Sequence, residues 1–248
     1  MKHEMNIWVV GGDMRQAKLA ELLSDDGHTV HTFALERGPE LYGVLSEETL
    51  EGAALADCVV LPLPVEGEGS LLNAPLSAGR HPLAEIFNAF RPGQVLCAGR
   101  ISQSSATLAA ERGLMLRDYF QREELAVANA VPTAEGALQI ALEELPVTLH
   151  GARVLVIGYG RVGKVTAQRF AALGAKVSVA ARKFADLAWA EAMGYGVEQT
   201  GALVGWLCGY DLVVNTVPAR VLSEKELRDL KPGCLVIDLA SKPGGVDL

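Results

Sequence analysis

The sequence predicts an α/β fold of two doubly wound domains, each with a parallel sheet. Three observations carry this. Short apolar runs alternate with helical stretches along the whole chain, the order that parallel strands joined by helical crossovers require. A long helix and a connection interrupt that alternation once, near the middle. Directly after the interruption, a strand opens onto a glycine-rich turn and a new helix. The predicted boundaries are residues 1–130, an interdomain helix and connection at 131–150, and 151–248.

In the first half, "NIWVVGG" (6–12) reads as a buried strand, "DMRQAKLAELLSDDG" as an amphipathic helix and "HTVHTFAL" as a second strand. "DCVVLPLPV" is an apolar strand ended by its prolines. "QVLCAGRIS" and "AERGLMLRDYF" continue the pattern. A helix is predicted over 131–145, with Pro132 near its start, where a missing N–H costs nothing. The second half begins at "ARVLVIG", and right-handed crossovers place all strand C-termini, with their loops, on one edge of each sheet.

Composition narrows the function. Half of the 248 residues are apolar and 21% are charged, enough for packed cores and too apolar for disorder. The net charge is −8 with no Lys/Arg-rich run, which argues against nucleic acid or an anionic membrane as partner. Cys58, Cys97, Cys208 and Cys234 lie far apart in apolar runs. They are expected to be buried reduced thiols, neither zinc ligands nor a redox pair. The N-terminus enters a strand with no apolar leader, so a cytoplasmic location is expected.

The nucleotide can be argued from residues. Gly158, Gly160 and Gly163 form G-x-G-x-x-G after the strand "RVLVI" and before the helix "KVTAQRFAAL", the context a Rossmann dinucleotide site needs. The first glycine permits the turn, the second lets a pyrophosphate approach the backbone, and the third lets the helix pack against the strand. The helix start, at Arg161 and Val162, offers N–H groups and the positive dipole end. From Gly158 to Ala185 there is no Asp or Glu, whereas Arg182 and Lys183 stand where an acid would bind the ribose of NAD. Two cations there favour the 2′-phosphate of NADP. The alternative is NAD, with two solvated basic residues in a loop. The loops "NTVPAR" and "ASKPGG" are expected on the same edge, making Asn215, Thr216, Pro218, Ser241 and Lys242 candidate walls of the nicotinamide site; Asn215 is alternatively a strand-end cap.

No catalytic acid or base is identified. None of the five histidines adjoins a glycine-rich or strand-end loop, and His150 is read as structural. Without hydrolase or kinase motifs, hydride transfer remains, in which the cofactor carries the chemistry. In "VVGGDMRQAK", Arg15 is placed to fork a carboxylate beside a helix N-terminus. The competing reading is a surface arginine behind Asp13 as N-cap.

Together, "VVGGDMRQ", "VPTAEG", "HGARVLVIGYGRVG" and "IDLASKPGGVD" resemble the A subunit of dipicolinate synthase from spore-forming bacteria. The resemblance runs along the whole chain and implies a flavodoxin-like N-terminal domain and a C-terminal Rossmann domain. It implies NADP-dependent dehydrogenation of dihydrodipicolinate, a cyclic dicarboxylate, together with a flavoprotein-like B subunit in the mother cell of a sporulating bacterium. Arg15, Arg100, Thr133 and Lys242, expected in loops, are candidates to hold the two carboxylates. The family pattern also implies a further strand and a returning helix beyond "GGVDL", so the sequence reads as a fragment or as a site completed elsewhere, with association into a homo-oligomer as one consequence. Two other functions stay open: a 2-hydroxyacid or amino-acid dehydrogenase, and an NAD(P)-sensing regulatory module without catalysis.

Overall fold

The computed structural model describes residues 3–241 and 244–247. The chain divides into two compact units, Met1–Leu125 and Ala126–Leu248. The first contains β1 (Asn6–Val10), α1 (Met14–Asp25), β2 (Thr29–Phe33), β3 (Leu45–Glu47), β4 (Cys58–Val60), α2 (Leu83–Asn88), β5 (Val95–Ala98), α3 (Gln103–Ala110) and β6 (Leu116–Asp118). All its strands pair in parallel, in the order β3-β2-β1-β4-β5-β6. Without the three-residue edge strand β3, that is the flavodoxin-like order.

Strand alternation sends Trp8, Val59 and Leu96 to one face, where Leu83, Ile86 and Phe87 of α2 and Ala109 of α3 cover them. Val9 and Val30 face the other way, onto Ala20 of α1. Burying a side chain such as Phe87, which is wholly enclosed, is worth about 2–3 kcal/mol. The thiols are less buried than expected. Cys58, Cys97 and Cys234 are half-buried and Cys208 is exposed. Cys58 and Cys97 sit on neighbouring strands, where Cys58 pairs with Val95 and Cys97 with Val60, so both project from the same face.

α4 (Glu123–Glu144) starts at the end of the first unit and runs into the second, which continues with β7 (Arg153–Ile157), α5 (Arg161–Ala172), β8 (Lys176–Ala181), α6 (Phe184–Ala192), β9 (Gly196–Gln199), β10 (Leu212–Asn215), α7 (Glu224–Arg228) and β11 (Leu235–Asp238). Its sheet, β11-β10-β7-β8-β9, is parallel throughout and has the Rossmann order. Phe170 of α5, Leu187 and Ala190 of α6, and Ala137 and Ala141 of α4 pack on Val154, Val156, Val177 and Val179. The opposite face buries Leu155 and Ile157 under Leu203, Leu207 and Leu222.

Helix α4 corrects the sequence reading. It begins at Glu123, not Val131, and Pro132 lies inside it. The eight residues before Val131 contain good helix formers and two first-turn glutamates, and tertiary packing of Ala126, Ala130 and Ala134 outweighs the proline's cost. α4 is long and apolar enough to cross a membrane. Its alanine stripe instead lies buried, with Ala137 and Ala141 in the core of the second unit.

Candidate functional site

In the second unit, strand order reverses between β7 and β10, and the loops after those strands meet there, where doubly wound sheets take ligands. Gly158 turns the chain at φ +96°, and a β-carbon on it would lie 2.4 Å from Thr216 Oγ1. A β-carbon on Gly163 would lie 2.1 Å from the Gly158 carbonyl oxygen, so only glycine brings α5 this close to the turn. Around Gly160 the same test finds no atom within 4 Å. The three glycines therefore serve the turn, the close packing and an open approach respectively. Gly160 is the N-cap of α5 and no side chain caps the helix, so its first N–H groups, at Arg161 and Val162, face the open side.

Arg182 follows β8 directly and Lys183 is the N-cap of α6; both are exposed. Among the described residues neither side chain forms a hydrogen bond or ion pair. Thr216 closes over the turn, with its amide and its hydroxyl each donating to the Ile157 carbonyl at 2.9 Å. Pro218 and Ser241 are exposed on the loops after β10 and β11, and Lys242 lies outside the described residues.

Asn215 is not a wall residue. It is wholly buried, and its amide donates to Asp238 Oδ1 at 2.8 Å and to the Val217 carbonyl at 3.0 Å while accepting from the Val217 amide. It clamps the ends of β10 and β11. Burial acts to raise the Asp238 carboxyl, but bonds from the Gly245 amide, Asn215 and the Ala240 amide outweigh it and hold the group below its ordinary value. His150 packs against Gly174, where a β-carbon would meet its Nδ1 at 2.2 Å, a structural role.

The first unit gathers a polar set at the C-terminal ends of β1, β4, β5 and β6. Asp13 caps α1 and forms a capping box with Gln16. Arg15 forks onto Asp13, with Nε at 3.0 Å and Nη2 at 2.8 Å, and Nη2 also donates to the Leu63 carbonyl. Asp13 is thus the N-cap, and the arginine fork is engaged by Asp13 itself. Nη1 alone of its nitrogens carries no hydrogen bond among the described residues. The hydrogen bond from Arg15 holds the Asp13 carboxyl below its usual range.

Arg100 has φ +51°, and the carboxylate of Asp118 holds the loop through the amides of Arg100 and Ile101. Its exposed guanidinium has no partner among the described residues. Thr133, by contrast, is not in a loop: it lies in α4, and its hydroxyl donates to the Asn129 carbonyl one turn back.

Sequence reasoning missed two members of this edge. Tyr119 donates its hydroxyl to the Leu61 carbonyl, and burial pushes it up to about 12. Glu66 accepts hydrogen bonds from the hydroxyls of Ser102, Ser105 and Ser104 at the start of α3, and these hold its carboxyl low. The run "SQSS" was a visible signal, but nothing local couples it to a glutamate 36 residues earlier.

Comparison with known proteins agrees with this geometry. A model of the N-terminal domain of the A subunit of dipicolinate synthase matches residues 6–120, and a model of NAD(P)-binding domains matches 145–245. The crystal structure of the dipicolinate synthase A subunit from Bacillus halodurans superposes with a TM-score of 0.88 at 31% identity, covering 98% of this chain and 84% of that one. The chain belongs to the dipicolinate synthase A-subunit family. A further member, the dipicolinate synthase A subunit of Bacillus subtilis, is 29% identical over 246 residues, which is 98% of this chain and 83% of that protein. Beyond the family, a transhydrogenase from Sinorhizobium meliloti shares the fold, with a TM-score of 0.70 at 19% identity over 97% of this chain and 80% of that one.

Proposed function

We propose that the protein is an NADP-dependent oxidoreductase that converts dihydrodipicolinate to dipicolinate, in the cytoplasm of a sporulating cell and together with a B subunit. The observation that carries the cofactor is the pairing of an open glycine turn with two unengaged cations. Gly158, Gly160 and Gly163 let a pyrophosphate approach the backbone at the start of α5, and Arg182 and Lys183 suit a 2′-phosphate. Thr216, which lies against Gly158, and Pro218, exposed on the same loop, would line the nicotinamide side.

When bound, NADP supplies the hydride acceptor. The substrate gives up a hydride from a ring carbon and a proton, and becomes aromatic. That gain supplies driving force, so the protein's task is chiefly to hold the ring in place. Arg15, through Nη1, and Arg100 are the cations that suit its two carboxylates. The reaction is carried over from the relatives named as dipicolinate synthase A subunits.

The test supplies dihydrodipicolinate and NADP to the purified protein, with and without the B subunit, and follows NADPH and dipicolinate together. Equimolar formation of both is expected. Dipicolinate formed without NADPH, or NADPH formed from 2-hydroxyacids or amino acids instead, would overturn the proposal.

A further inference from the structure

Helix α6, with the sequence FADLAWAEA, is apolar on two opposite faces. At 100° per residue, Leu187 and Ala190 point together into the core of the second unit. The opposite face carries Ala185, Ala188, Trp189 and Ala192, flanked by Phe184 and by Met193 at the helix end, and all six are exposed. Asp186 and Glu191 stand at the two margins. Helices α1 and α5 behave differently: α1 exposes Arg15 and Lys18, and α5 exposes Arg161, Lys164 and Gln168. A surface helix ordinarily turns a polar face to water, and one that is apolar all round is a helix that something covers.

The exposed area is large. Phe184 is 81% exposed, Trp189 65% and Met193 57%. With an aromatic side chain offering roughly 150–250 Å², the face amounts to on the order of 500 Å² of apolar surface, the size at which a patch on a monomer is commonly functional. It is also most of the roughly 800 Å² per partner that a standard interface buries.

We propose that this face joins two copies of the chain in an isologous dimer, with α6 packed antiparallel against α6 of the second copy. The order of large and small residues fits that arrangement. A two-fold axis midway between Ala188 and Trp189 sets each Trp189 against the partner's Ala188. It sets Phe184 against the partner's Met193, and Ala185 against the partner's Ala192. Each indole then enters a hollow left by an alanine, while Asp186 and Glu191 remain at the rim. A central tryptophan ringed by smaller contacts is the arrangement in which few residues carry most of an interface's energy.

Sedimentation equilibrium of the purified chain, at 26.3 kDa per copy, should give twice the monomer mass. Trp189→Glu should give the monomer mass with unchanged circular dichroism, because the residue is exposed in the single chain. Ala188→Cys, in an otherwise unchanged chain, should form a disulfide-linked dimer under mild oxidation that the parent chain does not form. A monomeric parent chain would overturn the proposal, even if α6 then captured a different protein such as the B subunit. So would a Trp189→Glu protein that stays dimeric.

Discussion

Replacing Arg182 with alanine separates the two nucleotides more sharply than any other single change. The guanidinium is exposed and unpartnered among the described residues, so its loss leaves no buried group unsatisfied and should shift stability by less than about 0.5 kcal/mol. Its function is another matter. A charge-assisted hydrogen bond to a phosphate contributes about 1.5–3 kcal/mol, and 1.4 kcal/mol is a tenfold change in binding. NADP should therefore bind about 10–100-fold more weakly to Arg182→Ala, while NAD, lacking the 2′-phosphate, should change less than about threefold. Calorimetric titration of both nucleotides against both proteins measures this directly. Raising salt should weaken NADP binding more in the parent protein than in the variant. Equal loss for NADP and NAD would refute the reasoning, because it would place Arg182 against a part the two nucleotides share. No loss for either would place it outside the site.

Other expectations follow from the same geometry. Gly160→Ala should fold normally, since no atom lies within 4 Å of the added carbon, yet bind NADP at least about tenfold more weakly because the methyl fills the phosphate approach; binding equal to the parent would sink that assignment. Gly163→Ala meets the Gly158 carbonyl at 2.1 Å and should lower the thermal midpoint as well as the affinity. Asn215→Ala should cost about 2–4 kcal/mol in denaturant unfolding, as it removes one of Asp238's donors and orphans both backbone groups of Val217. Asp238 is held below its ordinary value of 3.8, so its contribution is present above that value and lost as pH falls through the lower folded one. The thermal gap between the parent and Asp238→Asn should accordingly be widest near neutrality and close in acid, and a gap independent of pH would count against it. The hydrogen bond from the Cys58 thiol brings Cys97 down to about 7 against the opposing effect of burial, with Arg117 assisting. Alkylation of Cys97 should rise with a midpoint near that value, and Cys58→Ala should move the midpoint up toward about 8.5; an unmoved midpoint would disprove the coupling.

What the sequence made legible is what is local. The strand, turn and helix around Gly158 follow from spacing alone, because each glycine answers to atoms within a few residues or to a steric need fixed by the turn. The parallel sheets follow from alternation. Asn215 was open to two readings because its partner, Asp238, comes from the next strand, and only strand order brings them together. Pro132 misled because a helix breaker is judged locally, while α4 is held by an alanine stripe packed on other elements. The Glu66–serine cluster and the Asp13–Arg15 fork concern which polar groups find each other first, which composition does not encode. The bare face of α6 was the reverse case. Its residues were in plain view, but exposure is a property of the packed molecule.

Among the described residues every sheet edge is short: β3 and β6 have three residues each, and β9 and β11 four. Parallel sheets close only after long crossovers have formed, so their strands wait unpaired longer than those of hairpins. During that wait an open edge is a template on which a neighbouring chain can misassemble. Edges of three or four residues give such a template few rungs, so the same brevity that makes these strands hard to read in the sequence protects the nascent chain from aggregation.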